Sequence, residues 1–369
     1  MTLDDKTAPA RGRGDSHRMH YLDALRGIAA LMVVFFHYVL APGVNFGVTG
    51  RTFITIISDY MDLGRIGVVV FFAISGFIIP TSLNHHSPHP VRKFLISRLF
   101  RLYPLYWVSI ILCLAVSTPV PSSYTIAANF TMVQGFLLAP EINGAAWTLA
   151  IELIFYAVCL GLFLIGRLHD RRVQFGFVVG SLGLALILAV LRSMLVRKLP
   201  VALPMALAVM FFGTLWRGVV LDHDERARQY AGPAIGILIV MIPIVSVLAY
   251  RVDFGFHEWP LPYIFSYGAG LSIFMLVTAK VRRSPAWLAY LGTISYSTYL
   301  LHTPVISAAA ALGWGLRSDA SPLTNWTLVA LIMLAVIGIS NLSYRWIEKP
   351  CVALGRRLER RSNWTVQHP

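Results

Sequence analysis

The stretch YLDALRGIAALMVVFFHY, residues 21–38, decides how the chain is read. Its length and apolar content suit a helix crossing a hydrocarbon core of ~30 Å at ~1.5 Å per residue. Yet it carries Asp23, Arg26 and His37. A charge in lipid costs roughly 2.5–3.5 kcal/mol even on lenient insertion scales. Arg26 and His37 are eleven residues apart, close to three full turns, so they share a face, and Asp23 lies one turn before Arg26. That row is expected to face a bundle interior or a water-filled pocket. The alternative is pure packing: an Asp23–Arg26 pair, with His37 bonding between helices.

Working outward, similar apolar runs recur along all 369 residues, which are 57% hydrophobic and 13% charged. Soluble domains carry roughly 25% charged residues. The pattern predicts an all-α, polytopic integral membrane protein with about ten spans, near 22–41, 66–83, 102–118, 145–166, 173–191, 199–221, 231–250, 260–279, 286–314 and 325–346. A transmembrane barrel would alternate apolar and polar residues in ~10-residue segments, and these runs do not. Residues 120–144 hold a moderately apolar piece without Lys or Arg, expected as an interfacial or re-entrant element. No linker, low-complexity segment or internal repeat divides the chain. The expected organisation is one transmembrane domain, 21–350, with basic cytoplasmic tails at 1–20 and 351–369. The first apolar run lacks a small-residue cleavage pattern and reads as a retained span.

The net charge of +14 resides mostly in the breaks between spans and reads as membrane topology, not nucleic-acid binding. With both termini cytoplasmic, the inner segments collect 23 of the 31 Lys and Arg residues and the outer ones 7, with Arg26 inside the first span. That asymmetry sets the expected orientation. Cys113, Cys159 and Cys351 form no CxxC or His/Cys ligand pattern, so neither a disulfide framework nor a metal site is expected.

Three further places stand out. GAAWTLAIELIFY puts Glu152 about 8 Å below Trp147, at a depth comparable with His37. LGTISYSTYLLHTPV sets Ser295, Tyr299 and His302 on one stripe, with Pro304 expected to break the helix just beyond. RKFLISRLFRLYPLYW carries Arg98 and Arg101 on one face at the inner boundary, where guanidinium forks suit phosphate but where topology alone also demands positive charge.

These motifs resemble the membrane-bound acyltransferase-3 family, which includes bacterial O-acetyltransferases of O-antigen, exopolysaccharide and nodulation factors, and macrolide acylases. LDALRGIAALMVVFFH is similar to the family's Arg-x10-His pattern, here Arg26 and His37. FFAISGFII (71–79) looks like its second-helix signature, and RLFR (98–101) like its Arg-x-x-Arg motif, associated with acyl-CoA handling. WTLAIELIFY (147–156) resembles the segment bearing its functional Glu, here Glu152; ISYSTYLLH (294–302) and YRWIEKP (344–350) resemble its late signatures. The similarity runs from about residue 21 to 350. Because the sequence runs only a short way past the last expected span, no fused extracytoplasmic SGNH domain like that of some members is expected, which leaves open a separate extracytoplasmic partner protein.

The resemblance implies an acyltransferase of the bacterial inner membrane. It would use cytosolic acetyl-CoA or another acyl-CoA as co-substrate and no metal. The acceptor would be a glycan, a lipid-linked oligosaccharide or another hydroxyl-bearing molecule, met among membrane lipid. Arg98 and Arg101 would hold the donor's phosphates, and the pantetheine arm would pass Arg26. His37 would act as general base, with an unperturbed imidazole pKa near 6.5, and Glu152 would orient it. An acyl-His intermediate is an alternative course. Tyr299, His302 and Ser75 are the candidates to stabilise the oxyanion, and His302 is the reserve catalytic group. A transporter of a small anion or sugar would also bury Arg, His and Glu, but the expected second, matching set of broken helices is missing. A scaffold leaves the intramembrane charges unexplained.

Overall fold

The computed structural model describes residues 19–40, 43–84, 89–254 and 258–367. Lys6, Arg11, Arg13 and Arg18 of the expected N-terminal tail lie outside the described residues. Helices are α1 (His20–Val39), α2 (Gly47–Thr55), α3 (Leu63–Ile78), α4 (Pro90–Val116), α5 (Ser123–Phe130), α6 (Trp147–Leu164) and α7 (Arg171–Leu195). They continue with α8 (Ala202–Val220), α9 (Glu225–Ala249), α10 (Pro260–Lys280), α11 (Ala286–Thr293), α12 (Ser295–Ala311), α13 (Pro322–Ser343) and α14 (Lys349–Gln367). No strand occurs among the described residues.

Nine helical segments among the described residues are long and apolar enough to cross a membrane. They match nine of the ten expected spans. The remaining one, 286–314, is broken into α11 and α12 at Thr293–Ile294. Close packing explains the position. A Cβ on Gly292 would fall 1.7 Å from the Asp23 carbonyl oxygen of α1, so only glycine admits that approach. Just past the break, Ser295 Oγ donates to the Gly292 carbonyl at 2.8 Å.

Pro304 does not end its helix, contrary to the sequence expectation: α12 continues to Ala311. Proline removes the donor that would bond the carbonyl four residues back. Asn143 Nδ2 supplies the missing donor to the Leu300 carbonyl at 3.0 Å. Asn143 belongs to the 120–144 segment, which forms α5 and a short 3₁₀ turn, Gln134–Leu137. Tyr106 of α4 anchors that segment by donating to the Asn129 carbonyl, and Trp107 Nε1 donates to the Phe130 carbonyl at 3.0 Å. The last expected span leads through a π-helical turn, Tyr344–Glu348, directly into α14, so the expected C-terminal tail is helical as far as Gln367.

Several starts follow local capping rules. Asp62, Asp170, Asp224 and Ser321 each accept a backbone N–H from the first turn of α3, α7, α9 and α13. Between helices, small residues permit backbone approach, the usual means of packing where lipid removes the hydrophobic drive. In α3 against α8, a Cβ on Gly76 would sit 1.8 Å from the Met210 carbonyl oxygen.

The connections contact each other in two sets. In one, Asn45 and Asn325 bond across the α1–α2 and α12–α13 connections, Arg65 lies over the Tyr263 ring, and buried Arg192 pairs with Glu258. In the other, Arg171 bridges Asp222 and Asp224, and Arg98 bonds Ser82. Each of these contacts joins residues that the charge pattern had assigned to the same side.

Candidate active site

Helices α1, α3, α6 and α12 line a cavity with about 490 Å³ of space not filled by protein atoms, part of it open to the surroundings. Arg26, Ser75, Thr148, Glu152, Ser295 and Tyr299 contribute its polar lining, and Val68, Phe71, Phe72 and Leu149 much of the apolar remainder. Five of the residues singled out in sequence, Arg26, Ser75, Glu152, Ser295 and Tyr299, therefore meet around one space. Ser75 Oγ and Tyr156 Oη both donate to Glu152 Oε1, at 3.3 and 2.6 Å. Glu152 Oε2 carries no hydrogen bond among the described residues.

His37 and His302, 265 residues apart, face each other with near-parallel rings and a 3.0 Å separation between His37 Nδ1 and His302 Nε2. The orienting group for His37 is thus His302, not Glu152 as the sequence suggested. His302 is 1% exposed, and its Nδ1 lies 2.7 Å from the Tyr299 carbonyl oxygen. A carbonyl only accepts, so His302 carries its proton on Nδ1. In the neutral imidazole with its proton on Nδ1, Nε2 is the acceptor. His37 then donates from Nδ1, and its Nε2 presents a lone pair. That nitrogen has no hydrogen-bond partner among the described residues, and the His37 side chain is exposed. A backbone carbonyl thereby sets the tautomer of both imidazoles.

Tyr299 joins the two parts. Its ring lines the cavity and its carbonyl holds His302; its hydroxyl lies 2.8 Å from Thr148 Oγ1 and donates to the Ala145 carbonyl at 3.1 Å.

An ionic cluster adjoins the cavity. Arg101 interacts electrostatically with Glu348, Tyr156 and Glu152, and Arg26 with Arg101, Glu152, Asp23 and Glu348. Neither guanidinium makes a hydrogen bond among the described residues, and Arg26 Nε is buried without one. Arg98 is placed differently. It donates to Ser82 Oγ at 3.3 Å and lies over the rings of Phe94 and Tyr156.

Sequence reading missed Glu348, Ser297 and Tyr156 as site residues. Glu348 is 7% exposed and accepts from Ser297 Oγ at 3.0 Å. Its position just past an apolar run reads as interfacial; the π-helical turn at Tyr344–Glu348 places it inward, a device frequent at functional sites. The signal for Tyr156 was its i, i+4 spacing from Glu152. Among the described residues, no three His, Cys, Asp or Glu side chains converge as metal ligands.

Fold and site together define a multi-pass α-helical membrane protein with an ionic cavity walled by the same helices that present an oriented imidazole pair. The chain belongs to the acyltransferase-3 family: the family model described as an acyltransferase domain matches residues 19–345. It is 29% identical over 314 residues to the exopolysaccharide production protein ExoZ of Rhizobium meliloti (strain 1021), covering 80% of this chain and 92% of that one. It is 26% identical over 385 residues to a protein of Komagataeibacter xylinus named as the membrane-bound transacylase BcsY, covering 93% and 88%. A Staphylococcus aureus (strain COL) protein named as an O-acetyltransferase is 25% identical over 370 residues, covering 89% of this chain and 56% of that one. No solved structure matches the chain.

Proposed function

We propose that this chain transfers an acyl group, acetyl in the simplest case, from acyl-CoA to a hydroxyl of a glycan or glycolipid. The observation that carries the reading is the free Nε2 of His37, held in its tautomer by His302 and the Tyr299 carbonyl. A neutral imidazole so oriented suits general-base work on an alcohol. The acceptor hydroxyl gives its proton to His37 Nε2 as its oxygen attacks the thioester carbonyl carbon. The C–S bond then breaks, and the imidazolium returns the proton to the departing CoA thiolate. The products are an ester and free CoA.

Arg101, cationic and without a hydrogen-bond partner among the described residues, is the assigned contact for the donor's phosphates in this reading, because guanidinium forks match phosphate oxygens. Arg26 and Glu152 Oε2 offer a donor and an acceptor to the polar pantetheine arm within the cavity. Arg98 is engaged with Ser82 and with the rings of Phe94 and Tyr156, and this reading does not assign it the donor contact. The name of ExoZ supports a polysaccharide-related acceptor. The charge pattern supports cytoplasmic termini in a bacterial inner membrane, so that donor and base would approach from opposite faces.

The test is acyl transfer by purified protein in nanodiscs supplied with radiolabelled acetyl-CoA, paired with mass spectra of surface glycans from a deletion strain and its parent. Loss of acetyl groups from the deletion strain's glycans, restored by the parental gene but not by the His37→Ala variant, is the expected result. Glycans identical in both strains, together with no consumption of acetyl-CoA, would overturn the proposal.

A further inference from the structure

A second cavity lies outside the site. Its walls come from α4 and α6 alone: Phe94, Leu95, Leu99, Leu102 and Tyr103 on one side, Leu153, Ala157 and Leu160 on the other, with Arg98 and Tyr156 between them. It is an open groove, with about 610 Å³ of space not filled by protein atoms, part of it continuous with the surroundings. Leu95 and Leu99 on its rim are 51% and 49% exposed, on a helix whose sequence places it in the membrane. From Phe94 to Tyr103 the groove runs nine residues along α4, roughly 14 Å at the helical rise.

Two physical problems arise here. A void lined by leucine side chains forfeits dispersion contacts along its whole length, and water gains nothing by entering so apolar a space. In addition, a guanidinium stands in that wall. Among the described residues, Arg98 has one hydrogen bond, to Ser82, and its Nε is buried with none. Phe94 and Tyr156 offer it ring faces, which are weak partners for a full charge. Such a cation calls for an anion at the level where the helix enters the bilayer. The chain segment leading to it, with Arg92 and Lys93 exposed, adds positive potential at the mouth.

We propose that the α4–α6 groove is a binding site for one anionic phospholipid, its phosphate on Arg98 and one acyl chain along Leu99, Leu102, Leu153 and Leu160. A single occupant answers both problems. The chain fills the void by van der Waals contact, the available force where lipid and leucine are equally apolar. The phosphate gives Arg98 the bidentate partner it lacks. The same occupant would rest on the outer side of the Tyr156 ring, whose hydroxyl holds Glu152, so the lipid would brace one wall of the central cavity. The inference separates two arginines that look alike in sequence: Arg101 takes part in the ionic cluster, and Arg98 lines the α4–α6 groove. It stands whether or not the reaction proposed above is correct.

Native mass spectrometry of the full chain, released from detergent with added phosphatidylglycerol or phosphatidylcholine, tests it. One phosphatidylglycerol should survive at collision energies that strip phosphatidylcholine. Arg98→Gln should lower its apparent affinity by roughly tenfold, as expected for one charge-assisted contact. Ala157→Phe, which fills the groove without touching any charge, should abolish retention while the protein stays monodisperse; it keeps the test valid if Arg98→Gln fails to fold. Equal retention of both lipids would mean an annular belt only and would overturn the proposal. So would unchanged phosphatidylglycerol binding in folded Ala157→Phe protein, or its stoichiometric displacement by CoA, which would return Arg98 to the donor.

Discussion

His37 Nδ1 and His302 Nε2 are 3.0 Å apart, and the Tyr299 carbonyl closes the chain on the far side of His302. The relationship divides the labour between the imidazoles. His302 is sealed in the bundle, with both nitrogens engaged; His37 has one nitrogen engaged and one open. His37→Ala should therefore remove acyl transfer by ~10²–10⁴-fold while donor binding persists. His302→Gln retains an acceptor toward His37 and should fall between parent and His37→Ala. Turnover normalised to membrane-inserted protein checks both, and near-parental turnover in His37→Ala would move the catalytic assignment to His302.

Donor affinity should separate the two arginines of the RLFR motif. Arg101→Ala should weaken acyl-CoA binding by roughly tenfold or more, the worth of a hydrogen bond between charged groups. Lys at 101 should restore only part, because an ammonium lacks the planar fork. Arg98→Ala should leave donor affinity within a few-fold of the parent. Equilibrium binding of a fluorescent acyl-CoA to each detergent-purified variant measures the difference; equal losses at both positions would restore a shared phosphate site.

Glu152→Gln keeps the shape and an oxygen to accept from Tyr156 and Ser75, but removes the charge facing Arg26 and Arg101. Turnover should fall more than protein yield. Parallel falls in both would mark Glu152 as packing.

Two glycines should respond in opposite ways to a single methyl group. Gly76→Ala drives a Cβ to 1.8 Å from the Met210 carbonyl oxygen and should cost about 1–3 kcal/mol or more as α3 and α8 separate. Gly180 has nothing within 4 Å of its Cβ position, so Gly180→Ala should be neutral or stabilising by up to ~1 kcal/mol. Thermal unfolding in one detergent, side by side, decides.

Orientation is checked with reporters. A fusion after residue 369 should be active only in the cytoplasm, and one near residue 320, between α12 and α13, only outside. The reverse pattern would place His37 and His302 on the cytoplasmic half and invert the path assigned to the donor.

Sequence alone determined the fold class, nine of the spans and the placing of Arg26, Glu152, Ser295 and Tyr299 away from lipid, whereas Ser75 entered only through the family resemblance. The reason is local: apolar runs of bilayer length must be helical, and polar groups within them must avoid lipid. Tertiary structure alone decided the partners. No spacing rule links His37 to His302 across 265 residues, and a sequence cannot show that a carbonyl at Tyr299 sets two tautomers. The break at Thr293–Ile294 depends on α1 pressing against Gly292, and the continuity of α12 through Pro304 depends on a donor from Asn143. Glu348 turns inward through a π-helical turn that its own residues do not announce. Depth along a helix is written in the chain; the direction a side chain faces is settled only when neighbouring helices take up the remaining space.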